Sequence, residues 1–429
     1  MLIAAAGLAG AQTPAPAPAS GPSLTLKDAE AVALKNHPQV QGAQFNYQVS
    51  QQLVNEARAA YFPTLNGDLT GSIANPGARI GAGYLTMSRL WDRFSPGVTL
   101  NQLIMDSGRT PNLVASSRLD SQASAQTYQA TQYDVLLGVN QSYYEALRAK
   151  ALVKVAQETV AARQLLTDQV TALAQSKLRS QLDVSFADVN LSQAKLMLIQ
   201  SQDSVEQAFA ELTRALGLSA QQAYKLVEEP MPPSPPVTAD DLVSQAVHNR
   251  PELAGLRLQV ESADHFERAE RDLKLPTVNL LAVGGAIPYV KQLTTASTPV
   301  DYESAAINVE IPIFNGGLFT ARREAARMKA QAARQHLRDS EEVVTRDVRI
   351  AWSNSITAYH RLDVTAEMLR EATMALDLAH GRYNLGLSNI VELTQAELNQ
   401  TQAEVENLNA KYDYQRLYAV LQYSIGLLR

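Results

Sequence analysis

Histidines and carboxylates are the residues most able to do chemistry, and their spacing decides what kind. His37, His248, His265, His336, His360 and His380 are scattered along the chain. None stands in a pair such as His-Glu-x-x-His, which would set two rings on one helix face toward a zinc ion. The helical pattern places His336, His360 and His380 on solvated faces. Aspartates and glutamates are numerous, but no pair is positioned by an evident pocket. Gly316-Gly317 lacks the lysine of a phosphate-binding loop. The chain has no cysteine, which excludes thiol redox chemistry, zinc fingers and iron–sulfur clusters. No catalytic set, cofactor or metal site emerges. A net charge of −6 also argues against a nucleic-acid partner. The basic run Arg322, Arg323, Arg327, Lys329, Arg334 and Arg338 is interleaved with acids and reads as a solvated helix face.

Two short segments have a pattern with mechanical content. Ser180-x-x-Asp183 and Asn389-x-x-Glu392 each put an acid three residues after a capping side chain, at the start of a helix. Gly386 reads as a helix-ending residue, and Lys177 stands at the equivalent place in the first half.

These segments need long elements to carry them, and the chain specifies those elements twice. Leu24-Thr25-Leu26 through Asn36-His37-Pro38 recurs as Val237-Thr238-Ala239 through Asn249-Arg250-Pro251. Pro63-Thr64-Leu65-Asn66 recurs as Pro276-Thr277-Val278-Asn279, Asp106-Ser107-Gly108 as Asn315-Gly316-Gly317, and Leu216-Gly217-Leu218 as Ile425-Gly426-Leu427. The offset of roughly 210 residues is too long for a solenoid, so each copy is a whole structural unit. Apolar residues at helical spacing, with Val135, Val139, Tyr143 and Leu147 as one stretch, predict a helix from about Pro111 to Lys177. A second runs from about Leu318 to Leu385. Each would be on the order of 100 Å long. Shorter returning helices, Leu182 to Leu216 and Ile390 to Leu427, complete two antiparallel hairpins whose tips hold the capping segments. Short helices are expected at Lys27–Lys35 and Ala239–His248, each followed by a proline suited to open the next helix.

Ahead of each long helix the period changes to two. Thr64 to Ile73, Gly97 to Met105, Val278 to Tyr289 and Ala305 to Ile311 read as strands. Four strands cannot close a barrel with a useful lumen, so several chains would have to contribute. Residues 74–94 and 288–301 would be the outer connections. If Leu65, Leu69 and Ile73 face lipid, then Asn66, Asp68, Thr70 and Ser72 face water. By the same parity Asn308 and Glu310 point inward. A soluble sheet with one packed face would show the same alternation. No run of about 18 apolar residues predicts a membrane helix.

The ends and joints complete the organisation. Residues 1–11 read as a truncated signal peptide, with Ala9-Gly10-Ala11 as a small-x-small cleavage pattern; an Ala-rich tail is the other reading. Residues 12–23 form a Pro/Ala-rich disordered lead-in. Without cysteine, N-terminal lipidation is excluded. Residues 24–228 are the first repeat, 229–237 a Pro-rich connector and 238–429 the second repeat.

The duplicated Asn-x-Pro and Pro-Thr-Leu/Val-Asn segments, Ile311-Pro312-Ile313-Phe314-Asn315-Gly316-Gly317 and Tyr383-Asn384-Leu385-Gly386-Leu387-Ser388 resemble the TolC-like outer-membrane efflux proteins. The resemblance covers the chain after residue 23. It implies a mainly α protein with a transmembrane β part: a duplicated β-β-α-α unit, with a long coiled-coil helical barrel and a trimeric 12-stranded β-barrel. It further implies a homotrimeric exit duct in a tripartite efflux or secretion system. The duct would span the outer membrane of a Gram-negative-type bacterium and the periplasm, coupled to a periplasmic adaptor and a proton-driven or ATP-driven inner-membrane pump. Small-molecule efflux is the first reading and type I protein secretion the alternative. A soluble periplasmic scaffold would leave the alternating strands idle. Family members carry an acid where Glu392 stands, at a charged periplasmic constriction, with Asp183 at the equivalent first-half position. Some carry a second acid where this chain has Gln395. Lys177, Leu178, Arg179, Ser180, Gly386, Leu387, Ser388 and Asn389 would then form the adaptor-docking tips.

Overall fold

The computed structural model describes residues 22–73, 93–220, 222, 224–286, 289–290 and 301–428. The expected signal peptide and most of both outer connections lie outside the described residues. Two compact units are present. One comprises the chain up to Gly42, Thr131–Asn249 and the chain from Val344; the other comprises Ala43–Ala130 and Arg250–Val343.

The duplication is visible element by element. The first half contains β1 (Ser23–Leu24), α1 (Leu26–Asn36), α2 (Pro38–Ala59), β2 (Thr64–Ser72), β3 (Arg93–Met105), α3 (Arg109–Gln175), α4 (Gln181–Ala215) and, at its end, β4 (Lys225–Leu226). The second contains α5 (Asp240–Asn249), α6 (Pro251–Asp272), β5 (Thr277–Ala286), β6 (Tyr289–Val290), β7 (Asp301–Glu310), α7 (Leu318–Asn384) and α8 (Ile390–Ser424). Equivalent helices match in length: 22 residues for α2 and α6, 67 for α3 and α7, 35 for α4 and α8. Proline sets the joints. His37 and Arg250 are extended (ψ 124° and 122°) because the following ring excludes helical backbone, and Pro38 and Pro251 then open α2 and α6. Most of the expected lead-in lies outside the described residues; its last residue, Ser23, is not irregular but joins Leu24 in parallel pairing with Lys225–Leu226.

In the first unit Val139 and Tyr143 of α3, Leu212 of α4, and Tyr414 and Leu421 of α8 are fully buried. The Tyr143 hydroxyl lies 2.8 Å from the Leu24 carbonyl and 2.6 Å from that of Val227, and accepts from Val227 N at 3.1 Å. Burial pushes its pKa up to about 12, so it remains a donor. At the equivalent place in the second repeat, Trp352 Nε1 donates to Pro236 O at 2.8 Å. Tyr414 Oη and Gln415 Nε2 donate to Pro233 O and Glu229 O. The connector has no helix or strand of its own, and these side chains satisfy three of its carbonyls.

The repeated Leu/Ile-Gly-Leu segments close the same unit. Gly217 (φ 70°) and Gly426 (φ 73°) end the returning helices in left-handed backbone. A Cβ on Gly217 would meet His37 Cα at 2.6 Å, and one on Gly426 would meet Asn249 at 3.1 Å. The two recurring motifs of each half are therefore packed against each other.

In the second unit the basic run on α7 is a solvated face that also pairs with α6. Arg322 donates to both carboxylate oxygens of Glu270 at 2.7 and 3.0 Å, and that glutamate is only 3% exposed. Arg334 pairs with Asp264 at 2.6 Å and Arg323 approaches Glu267 at 3.9 Å, all three acids lying on α6. The six basic residues stay exposed, as expected of a solvated face; the acids of α6, distant in sequence, add partners that the local pattern does not show. Arg327 and Arg338 do pair locally, with Glu324 and Glu342.

The sheet runs β2-β3-β5-β7, antiparallel throughout, with β6 against the start of β3. β3 begins four residues earlier than its alternation suggests, because Pro96 interrupts the pattern near the strand start. β7 likewise begins at Asp301, where a polar stretch hides the period.

Candidate functional site

Two places merit attention, the hairpin tips and the polar face of the sheet. Both tips use one backbone solution. After α3, Leu178 N bonds to Leu173 O and Lys177 N to Ala174 O; after α7, Leu387 N bonds to Arg382 O and Gly386 N to Tyr383 O. This is the helix-ending turn in which one residue takes positive φ, here Lys177 at 60° and Gly386 at 75°. The tips thus share a geometry although their residues differ. Lysine carries a steric cost there that glycine does not. Lys177→Gly is expected to stabilise the chain by about 0.5–1 kcal/mol, read from denaturant unfolding.

The acids play different parts at the two tips. Ser180 and Asp183 form a reciprocal capping box, Asp183 N to Ser180 Oγ and Ser180 N to Asp183 Oδ2, both at 3.2 Å. At the other tip Asn389 alone caps, accepting from Glu392 N at 3.0 Å. The Glu392 carboxylate instead accepts from Arg382 Nε at 2.8 Å, in an exposed ion pair. Capping therefore accounts for Asp183, but only for the backbone of Glu392. Gln395, exposed, donates to Asn399 at 2.9 Å. Leu178 and Leu387, at equivalent positions, are 71% and 66% exposed.

Behind the tips the hairpins join through a core of Leu166, Val170, Val184, Ala379, Tyr383, Ile390 and Leu393. Arg179 covers Tyr383, its guanidinium 4.1 Å from the ring centre and donating to the Tyr383 carbonyl at 2.9 Å. Burial pushes the Tyr383 phenol pKa upward, with Arg179 opposing and Asp183 reinforcing that shift. Deeper in, Arg163 of α3 and Glu397 of α8 form an ion pair with side chains 9% and 5% exposed. Burial lowers the Arg163 pKa to about 10, still charged at neutral pH. His380 Nε2 lies 4.0 Å from Glu397 Oε1, so it is not simply solvated as expected; His336 and His360 are exposed. Arg179 was expected at the docking tip, where it instead covers Tyr383; Arg163, Arg382 and Glu397 are not marked by the sequence. Arg382 and Glu392 bracket one turn and could have been paired on that ground; Arg163 and Glu397 offer no local signal.

The sheet register puts Asn66, Asp68, Thr70, Asn308 and Glu310 on one face. Asn66 lies opposite Thr99, which lies opposite Val283 and, beyond it, Ser304; Asp68, Gly97, Gly285 and Tyr302 form the next row. Asn308 pairs with Asn279 and Glu310 with Thr277 on the same side. Thr99 Oγ1 donates to Asp68 at 2.5 Å. Leu65, Leu69, Leu100, Leu280, Ile307 and Val309 occupy the other face, with Leu69 and Ile307 70% and 68% exposed. No helix among the described residues is long and apolar enough to cross a membrane.

Residues 31–218 and 242–427 each match the outer membrane efflux protein family, and the chain belongs to that family. It is similar to the outer membrane protein TolC of Salmonella enteritidis, at 21% identity over 92% of this chain and 80% of that protein. It is also similar to the alkaline protease secretion protein AprF of Pseudomonas aeruginosa, at 26% identity over 95% and 85%. A membrane protein of Pseudomonas aeruginosa solved by crystallography shares the fold, with a TM-score of 0.80 at 19% identity, covering 94% and 93% of the two chains. The family is that of outer-membrane efflux channels that extend into the periplasm, not of enzymes.

Proposed function

We propose that three copies of this chain assemble into a passive exit duct for small molecules, working with a periplasmic adaptor and an inner-membrane pump of proton-driven or ATP-driven type. The observation that carries this reading is the sheet β2-β3-β5-β7, whose edge strands gather Asn66, Asp68, Thr70, Asn308 and Glu310 on one face and Leu65, Leu69, Ile307 and Val309 on the other, with no described strand paired to the outer edge of β2 or β7. Such a sheet is satisfied in lipid only when neighbouring chains close it. Three copies supply twelve strands, with Asn66, Asp68, Thr70, Asn308 and Glu310 lining water and Leu65, Leu69, Ile307 and Val309 meeting lipid. The hairpins would wall the periplasmic part. Leu178 and Leu387, with Lys177, Arg179, Ser180, Gly386, Ser388 and Asn389 around them, are the surface offered to the adaptor. Protein secretion is the second reading, favoured by the similarity to AprF.

At the tips Glu392 and Asp183 would face a narrow entrance, with Gln395 behind. Arg382 offsets part of the Glu392 charge, so the entrance is less acidic than the carboxylates alone suggest. Purified from outer membranes and placed in planar bilayers, the protein is expected to form discrete channels blocked by multivalent cations from the periplasmic side. Glu392→Ala should weaken that block several-fold. A chain that sediments away from the outer membrane and forms no channels would end the duct reading. Unchanged block would leave Glu392 only its pairing with Arg382.

A further inference from the structure

The outer edges of β2 and β7, which no described strand pairs, specify together with the internal repeat how one chain meets the next. Within the chain the repeat carries registers faithfully. The equivalences Pro63 with Pro276 and Asp106 with Asn315 turn the β2–β3 pair Thr64–Asn101 into Thr277–Glu310, which is the pair observed between β5 and β7. They also turn Asp68–Gly97 into Leu281–Ala306, again an observed pair. The junction between the two repeats, β3 with β5, has its counterpart in the junction that must join β7 to β2 of another copy. Its observed pairs are Thr99–Val283, Leu100–Ala282 and Asn101–Leu281.

We infer that β7 pairs antiparallel with β2 of a second copy of this chain in the register that sets Asn308, Val309 and Glu310 opposite the partner's Thr70, Leu69 and Asp68. This rests on the trimeric reading above and adds the register to it. Face parity, which did not enter the mapping, agrees with it. Val309 and Leu69 both lie on the apolar face, while Glu310, Asp68, Asn308 and Thr70 lie on the polar one. A slip of one residue would set Val309 against a polar side chain and invert every row. The same mapping carries the bulge between Leu103 and Met105 onto the segment from Pro312 to Phe314. There Pro312 has no N–H to donate, and β7 has ended at Glu310. The junction therefore brings a carboxylate of each subunit opposite one of the next, three times around the lumen. Thr99 is already committed to Asp68 as a donor.

The chain contains no cysteine, so paired cysteines report the contact without background. Residues directly opposite on antiparallel strands lie within disulfide reach, whereas diagonal neighbours do not. The full-length Leu69→Cys/Val309→Cys variant is to be oxidised in outer-membrane vesicles and run on non-reducing gels. It is expected to give a closed covalent three-chain species at about tenfold the yield of Gly67→Cys/Val309→Cys or Gly71→Cys/Val309→Cys. Asp68→Cys/Glu310→Cys should behave like the first pair and guards against a local folding defect at Leu69. Equal or better linking at Gly67 or Gly71, or a trimer that links in none of the pairs, overturns the register while leaving the trimer intact. A wild-type chain that sizes as a monomer in detergent overturns both.

Discussion

Glu397→Gln should cost the folded protein about 3–5 kcal/mol, because it leaves the Arg163 guanidinium buried without its counter-charge. The pair joins α3 to α8, with both side chains nearly excluded from solvent. Burial lowers the arginine pKa only to about 10, so at neutral pH the cation persists and must be solvated by something else or expose itself. The loss would appear as a lower midpoint in denaturant unfolding, and as proteolytic sensitivity in the hairpins. Arg163→Met/Glu397→Met supplies the control: replacing both charges with apolar side chains of similar length should recover most of the loss. A single variant within about 0.5 kcal/mol of the parent would mean that water reaches the pair and screens it.

Gly217→Ala is the second large effect, expected at roughly 2–4 kcal/mol. The backbone at this position is left-handed, and the added methyl would overlap His37, whose Cα and N lie 2.6 and 2.8 Å from it. Backbone cannot swing aside as a side-chain end can, so the α1–α2 bend must move. Gly426→Ala, where the nearest atoms lie at 3.1 Å, should cost visibly less in the same assay. Equal losses would show that conformation alone, and not the contact with His37, sets the requirement at Gly217.

Much of this architecture is legible in the residues because the repeat states each element twice. The long helices end within two residues of their expected limits, since proline, glycine and capping residues mark both ends. Strand parity was readable because every second residue changes character, and the register then gathered Asp68 and Glu310 on one side without further information. What stayed hidden depends on distant partners. α2 and α6 were anticipated only at their opening prolines. Glu270 gives no sign of being buried until Arg322, itself exposed, is placed opposite it. Arg163 and Glu397 are ordinary helix residues until packing excludes water around them. The difference between the two tip acids was also out of reach, since serine and asparagine both cap, and only the position of Arg382 draws Glu392 away.

That difference means that brine acts unequally on the two hairpins. Around Asp183 the bonds are short-range, run between a side chain and its own main chain, and lose little when ions crowd the surface. The bond of Glu392 to Arg382 spans an open turn where mobile ions compete for both groups. Rising ionic strength should therefore loosen the second hairpin end before the first, making one of two backbone look-alikes the salt-responsive member.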